Sequence, residues 1–243
     1  MERTLKTLFI SVLTAGLTFL TLMTARAAIA DFESAVAAVS VGDYMTARRE
    51  FESLAERGDP RGQNGLGVLY IQGWGVERDL AKAVDLFRKA AKLGLRAAEN
   101  NLGEMYMQCA GVEQDYVEAY KWYLKAAQKG DDEAQNNLGV LYVGGFGVEQ
   151  DFVAAMEWFQ KSAKQGNVEA QANVGHLFRT GDGVARDYLL AYAWYGIAAA
   201  GGLEMGPQLR DSVVTFLNSD EVEQARAIAR KLYLKYARNR SNP

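Results

Sequence analysis

The stretch AQNNLGVLYVGGFGVEQDFVAAMEWF, residues 134–159, decides the fold. It opens on Leu138-Gly139-x-x-Tyr142, crosses Gly145-x-Gly147-Val148, passes Asp151 and then sets Ala155 and Phe159 at helical spacing. Thirty-six residues upstream the same landmarks stand as Leu102, Gly103, Tyr106, Gly111, Val112, Asp115, Ala119 and Tyr123. One period earlier they are Leu66, Gly67, Tyr70, Gly73, Gly75, Val76, Asp79, Ala83 and Phe87. One period downstream they return as Val174, Gly175, Phe178, Gly181, Gly183, Val184, Asp187, Ala191 and Tyr195. Gly94, Gly130, Gly166 and Gly202 close the four units, and only Cys109 departs from the paired loop glycines. Four copies in unbroken register identify a repeat protein.

Each column has a physical task. In the second copy Ala98, Leu102, Met105 and Tyr106 form one apolar stripe, which predicts a first helix, A. Gly103 lies inside that helix, where glycine costs about 1 kcal/mol against alanine, so it is expected to admit a neighbouring helix closely. The glycine pair supplies backbone angles that a Cβ resists, and the following valine plugs the apolar layer. Asp115 suits the N-cap of a second helix, B, with Glu118 completing a capping-box-like arrangement. Tyr116, Ala119, Tyr123 and Ala126 make the buried stripe of helix B, and Gly130 suits the position just past its end.

A single antiparallel helix pair cannot bury its apolar face, so the copies are expected to stack into an all-α solenoid. Residues 31–61 read as a degenerate N-terminal unit: Phe32 to Val41 is a short helix A, and Tyr44, Ala47, Phe51 and Leu54 match the helix-B columns. Residues 62–202 hold the four repeats, and 203–243 read as capping helices, Pro207–Leu217 and Asp220–Tyr236. On the last helix Val222, Ala225, Ile228, Ala229 and Leu232 should face inward, with Arg226, Arg230, Lys235 and Arg238 in water.

These residues resemble the Sel-one-like repeat family, a relative of the tetratricopeptide repeat with a longer loop between its helices. The resemblance is strong over 62–202 and weak in the flanks. It implies an α-solenoid that binds other proteins, and secreted bacterial members act as adaptors and regulators of envelope processes. Some cysteine-rich relatives have been described as β-lactamase-like or penicillin-binding. They carry a cysteine pair in each repeat, whereas this chain has one Cys in all.

The N-terminus reads as an address. Arg3 and Lys6 precede an uncharged stretch from Leu8 to Met23, followed by Ala25-Arg26-Ala27 and Ala28-Ile29-Ala30. A basic start, an apolar middle and a small-residue exit predict a signal peptide over residues 1–30, cleaved after Ala27 or Ala30, or else retained as an anchor. The expected location is periplasmic or secreted.

Composition narrows function. Lys+Arg 27 against Asp+Glu 30 gives a net charge of −3, which argues against nucleic acid as a partner. One Cys and one His leave no metal site, no internal disulfide and no His relay, and no cofactor is implied. Motifs of serine hydrolases, zinc proteases, β-lactamases and P-loop enzymes are absent. The expected function is a non-enzymatic scaffold, adaptor or regulator for a protein or peptide partner. Its alternatives are a structural subunit of an envelope machine and, least favoured, a cell-wall or β-lactam-modifying enzyme. Membrane contact is expected only through a retained signal or a binding partner.

Turning each helix A by about 100° per residue points a stripe outward into a concave groove. By copy it comprises Asn64, Val68 and Ile71; Asn100, Glu104 and Met107; Asn136, Val140 and Val143; and Ala172, His176 and Arg179. Two readings stand: the apolar members pack on a neighbouring helix, or the stripe is an apolar-and-amide groove for a peptide or helix. The asparagines would bond either a partner's backbone or the preceding inter-repeat turn. Cys109 is read as a partly buried filler, with intermolecular disulfide formation or redox sensing as alternatives. His176 is read as a surface residue without catalytic work, or else a pH-sensing contact. The Trp122, Trp158 and Trp194 column is expected to pack between repeats. The basic stretch from Arg226 to Arg240 is a solvated helix end, or a site for an acidic partner or anionic membrane.

Overall fold

A computed structural model describes residues 29–236. All but the last two residues of the expected signal segment lie outside them, as do Arg238 and Arg240. The described residues form helices and turns without a strand, and none of these helices is long and apolar enough to cross a membrane. In order they are α1 (29–40), α2 (Tyr44–Glu56), α3 (Pro60–Gln72), α4 (Leu80–Lys92), α5 (Arg96–Met107) and α6 (Tyr116–Gln128). Then come α7 (Asp132–Gly144), α8 (Phe152–Gln165), α9 (Val168–Thr180), α10 (Tyr188–Ala200), α11 (Gly206–Asp211), a 3₁₀ turn at Val214–Phe216, and α12 (Ser219–Tyr236). The chain divides into two compact units, 1–95 and 96–243, and within each the helices pack on their chain neighbours in pairs. This is α-solenoid architecture.

The start of every B helix is fixed by an aspartate. Asp79 accepts the N–H of Lys82 at 2.9 Å, Asp115 that of Glu118 at 2.9 Å, and Asp187 that of Leu190 at 2.9 Å. Asp151 takes two, from Val153 and Ala154. The predicted capping box closes only halfway. Glu118 is engaged by Lys121 Nζ at 2.6 Å, and the N–H it would have reached, on Asp115, donates to the Tyr106 carbonyl at 3.2 Å. That bond recurs from Asp79 to Tyr70, from Asp151 to Tyr142 and from Asp187 to Phe178. It satisfies a carbonyl near the end of helix A that has no partner within its own helix.

The interior glycines do what the sequence suggested. A Cβ on Gly67, Gly103, Gly139 or Gly175 would come within 3.0 Å of the ring of Phe87, Tyr123, Phe159 or Tyr195, respectively, on helix B of the same repeat. The two loop glycines differ from each other. The first (Gly73, Gly145 and Gly181) is a left-handed cap at φ 72°, 66° and 83°, where a Cβ would meet nothing closer than 3.3 Å. The second (Gly75, Gly147 and Gly183) is seated close to the backbone of Tyr44, Tyr116 or Phe152, the first residue of the preceding B helix, where a Cβ would come within 3.0 Å. Cys109 stands in the first, roomier position at φ 57° and Gly111 keeps the second. Where the loop carries an aromatic residue between its glycines, that ring stacks on the same helix start: Trp74 on Tyr44 at 4.8 Å and Phe146 on Tyr116 at 5.1 Å.

The flanks follow the same rules with fewer residues. In the first unit α1 and α2 meet through residues 41–43 in place of the glycine loop, and Ala35, Ala38, Ala47, Phe51 and Leu54 share a core with Leu66 and Leu69 of α3. In the second, the expected helix Pro207–Leu217 shrinks to the six residues of α11 and a 3₁₀ turn. The β-branched run Val213, Val214 and Thr215 accounts for the early stop, since such residues lose rotamer freedom in a helix. Phe216 stacks on Tyr188 at 4.5 Å, repeating the loop-aromatic contact at the cap. On α12, Ala225 is fully buried, Val222, Ile228, Ala229 and Leu232 are half-buried, and Arg226, Arg230 and Lys235 are exposed. Two of the three tryptophans pack between repeats as expected: Trp158 against the Tyr123, Leu138 and Leu141 cluster, and Trp194 in the Phe159 and Leu177 cluster, stacked on Tyr236 at 5.8 Å. Trp122 lies beneath Lys125 Nζ at 3.8 Å.

Candidate functional site

In the first unit Asn64, Val68 and Ile71 are half-buried along α3, and the Ile71 carbonyl accepts Arg78 Nε at 3.0 Å from the loop. In the second unit the stripe separates into packed and open residues. Asn100 was expected to point outward and is only 5% exposed. Its Oδ1 accepts Asn137 Nδ2 at 3.2 Å and its Nδ2 donates to Glu133 Oε2 at 3.1 Å. Asn136 Oδ1 accepts Asn173 Nδ2 at 2.9 Å in the next repeat. The asparagines therefore bond successive A helices to each other, and Ala172 is buried beside them. Met107 and Val143 pack against the clusters centred on Leu138 and Phe159. Glu104 is half-buried and accepts the Tyr123 hydroxyl at 3.2 Å.

What stays open is a narrower strip. Val140 is 36% exposed and His176 is exposed, with Arg179 donating to His176 Nδ1 at 3.3 Å. Desolvation and the Arg179 charge hold the imidazole below its ordinary pKa, so His176 is neutral at pH 7. Glu133 and Glu169, not singled out from sequence, flank this strip and are exposed. Partial desolvation raises the Glu133 carboxyl, and the carboxylates of Asp131, Asp132, Glu104 and Glu169 raise it further. Asp131 is raised as well, chiefly by burial. Burial, with Glu104 beside it, pushes the Tyr123 phenol up. The helix-A side of the second unit thus carries an acidic band above a bonded row of amides.

Beneath the band, buried side chains of the A helices α7 and α9 are tied to the preceding B helix, and that of α5 to the end of the following one. Gln135 Nε2 donates to the Ala127 carbonyl at 3.1 Å, and Gln171 Nε2 to that of Ala163 at 3.3 Å. Glu99, in the same column, accepts Lys129 Nζ at 2.7 Å.

Cys109 is exposed, so it is no buried filler; its left-handed backbone holds the thiol at the surface of the loop. Among the described residues no group of three or more His, Cys, Asp and Glu is placed to hold a metal ion. The arrangement offers hydrogen bonds, apolar contact and negative charge to another molecule.

Comparison with known proteins agrees with the geometry. The Sel1 repeat profile matches residues 60–95, 96–131, 132–167 and 168–203. The structure is similar to that of c5321, a protective antigen present in uropathogenic Escherichia coli strains, described as displaying an SLR fold, with a TM-score of 0.79 and 32% identity over 87% of this chain. This chain spans 46% of that protein. A Sel1 repeat protein from Oxalobacter formigenes is similar at a TM-score of 0.71 and 30% identity, covering 86% of this chain and 84% of its own. The immunity protein Pa5087 from Pseudomonas aeruginosa shares the fold at a TM-score of 0.54 and 22% identity, covering 89% and 83%.

Proposed function

Because this chain belongs to the Sel1 repeat family, whose fold commonly mediates protein–protein interaction, we propose that it is a non-catalytic scaffold for a protein partner in the cell envelope. The partner lies along the helix-A face of the second unit and contributes basic residues there. One observation carries this reading: the carboxylates of Glu104, Asp131, Asp132 and Glu169 act together on the exposed Glu133, on the same helix, α7, as the open Val140. Desolvation, and then the neighbouring carboxylates, raise the Glu133 pKa, and an approaching cation would relieve the repulsion among those carboxylates. Val140, about two turns further along α7, supplies apolar contact on the same helix. The N-terminal address supports a periplasmic or secreted location, and the similarity to a protective antigen accords with it.

A photo-crosslinking residue placed at Val140 or His176 in living cells should capture one discrete partner, and the same residue at the exposed Lys161 on α8 should not. Glu133→Lys combined with Glu169→Lys should abolish the Val140 adduct while leaving the helical signal unchanged. An adduct that survives both reversals, or forms equally at Lys161, would reject this face.

A further inference from the structure

The cap holds a second site of opposite sign. In the first two repeats of the second unit, the last residue of helix B or the one after it donates to the buried side chain one A helix back. Lys129 Nζ reaches Glu99 at 2.7 Å and Gln165 Nε2 reaches Gln135 Oε1 at 2.9 Å. The next residue in that column is Gly201, which has no side chain to donate, and Val168 leaves no room for one: a Cβ would lie 2.6 Å from Val168 Cγ1. Gln171, 5% exposed, therefore keeps a buried Oε1 without a hydrogen-bond partner among the described residues. Beside it a cavity of about 190 Å³ opens, lined also by Gly166, Ile197, Ala200, Tyr233 and Tyr236.

That cavity leads outward. Ile197, Ala200 and Tyr233 also line a cleft of about 720 Å³ between α10, α11 and α12. The cleft exists because α10 has lost its long side chains there. Gly196 and Ala200 stand where the previous repeat has Gln160 and Lys164, and α11 is too short to cover the gap. Its walls include Tyr192, Ala229 and Tyr233, and three arginines line it, Arg210 from α11 and Arg226 and Arg230 from α12. Asp211 pairs with Arg210 at 2.7 Å and is the sole carboxylate in the lining. Arg226 donates to the Tyr192 hydroxyl at 3.5 Å with the Glu223 carboxylate nearby on α12, and neither Arg226 nor Arg230 has an ion pair among the described residues. The adjoining tail, 237–243, carries Arg238 and Arg240 and no acid, so its charge excludes it as the natural occupant.

We propose that this cleft binds an acidic peptide segment of a partner protein. Carboxylates pair with Arg226 and Arg230 at the mouth, an apolar or aromatic side chain lies between Tyr192 and Tyr233, and an N–H of the peptide donates to Gln171 Oε1 at the base. Guanidinium–carboxylate pairing gives the charge preference, and the buried acceptor discriminates against ligands lacking a donor. The site is separate from the acidic helix-A face and binds the opposite charge.

The test is fluorescence anisotropy with a labelled hexapeptide carrying two glutamates on each side of a Leu–Phe pair, with analogues that replace the glutamates by glutamine or lysine. The glutamate peptide should bind saturably and weaken as salt rises. Glutamine replacement, or the Arg226→Glu, Arg230→Glu double variant, should weaken it roughly tenfold or more, and the lysine peptide should not bind. Gly196→Leu, which fills the cleft without changing charge, should abolish binding, with circular dichroism and the unchanged surface-charge variant guarding against misfolding. Equal binding of the glutamate and glutamine peptides, or of the parent and the arginine variant, would overturn the proposal. So would adhesion to phosphatidylglycerol vesicles that needs these arginines while the peptide fails to bind.

Discussion

Replacing Gly139 by alanine sets two effects of known sign against each other. On an open helix the exchange stabilises by about 1 kcal/mol, because alanine loses less backbone freedom on folding. At Gly139 the new methyl would meet Phe159 Cδ1 at 2.5 Å and Cζ at 2.8 Å, and Phe159 is 2% exposed within a packed cluster. Overpacking a core of this kind costs about 1–3 kcal/mol. The clash should win, and Gly139→Ala should lose up to about 2 kcal/mol in net terms. Gly196 on α10 is the internal control: a Cβ there would find Ala229 Cβ at 3.6 Å and Arg210 Cδ at 4.0 Å, ordinary contact. Gly196→Ala should gain about 1 kcal/mol. Urea unfolding followed by far-ultraviolet circular dichroism measures both, provided the slope of each transition matches the parent's, since repeat arrays can lose two-state behaviour. If Gly139→Ala proved as stabilising as Gly196→Ala, the close approach of helices A and B would not be why glycine stands in that column.

Two further outcomes follow from the same geometry. Cys109 holds a left-handed backbone at φ 57°, which costs an L-residue about 1–2 kcal/mol, while glycine gives back about 0.5–1 kcal/mol through its freer unfolded chain. Cys109→Gly should therefore raise stability by up to about 1 kcal/mol in the same urea assay, and a loss would show that the thiol makes contacts worth more than the strain. Glu133 has a folded-state pKa above its ordinary 4.5, so the folded chain holds that proton more tightly than the unfolded chain. Its contribution favours folding at low pH and turns against the fold as pH rises through the folded-state value. Glu133→Gln should be more stable than the parent near neutrality and lose that advantage as pH falls towards 4.5. A stability difference that ignores pH would refute the raised pKa of Glu133.

The helix pairs, their aspartate caps and the glycine–ring contacts were legible because each depends on residues within one period. Phe159 and Gly139 belong to the same repeat, so spacing alone aligned them. The helix-A stripe was harder. A turn of 100° per residue divides a helix into an inner and an outer face, but an A helix here also has flanks bonded to its neighbours, and the Asn100–Asn137 and Asn136–Asn173 bonds lie there. The adjacent pair Asn100-Asn101, repeated as Asn136-Asn137, was the signal that these amides answer one another across repeats. The cap cleft was also written in the columns, as the exchange of Gln160 and Lys164 for Gly196 and Ala200. Small residues there read equally well as a surface covered by another helix, and only the brevity of α11 leaves them open.

The seating of Gly147 on Tyr116 and of Gly183 on Phe152 gives the chain a direction. Each of these corners leans backwards, on a segment translated before it. Synthesis from the ribosome therefore delivers each seat ahead of the piece that sits on it. Shortening the protein from its far end would strip a cover and leave the earlier corners supported. Trimming from the near end would take away a footing, and the first surviving corner would be left propped on nothing.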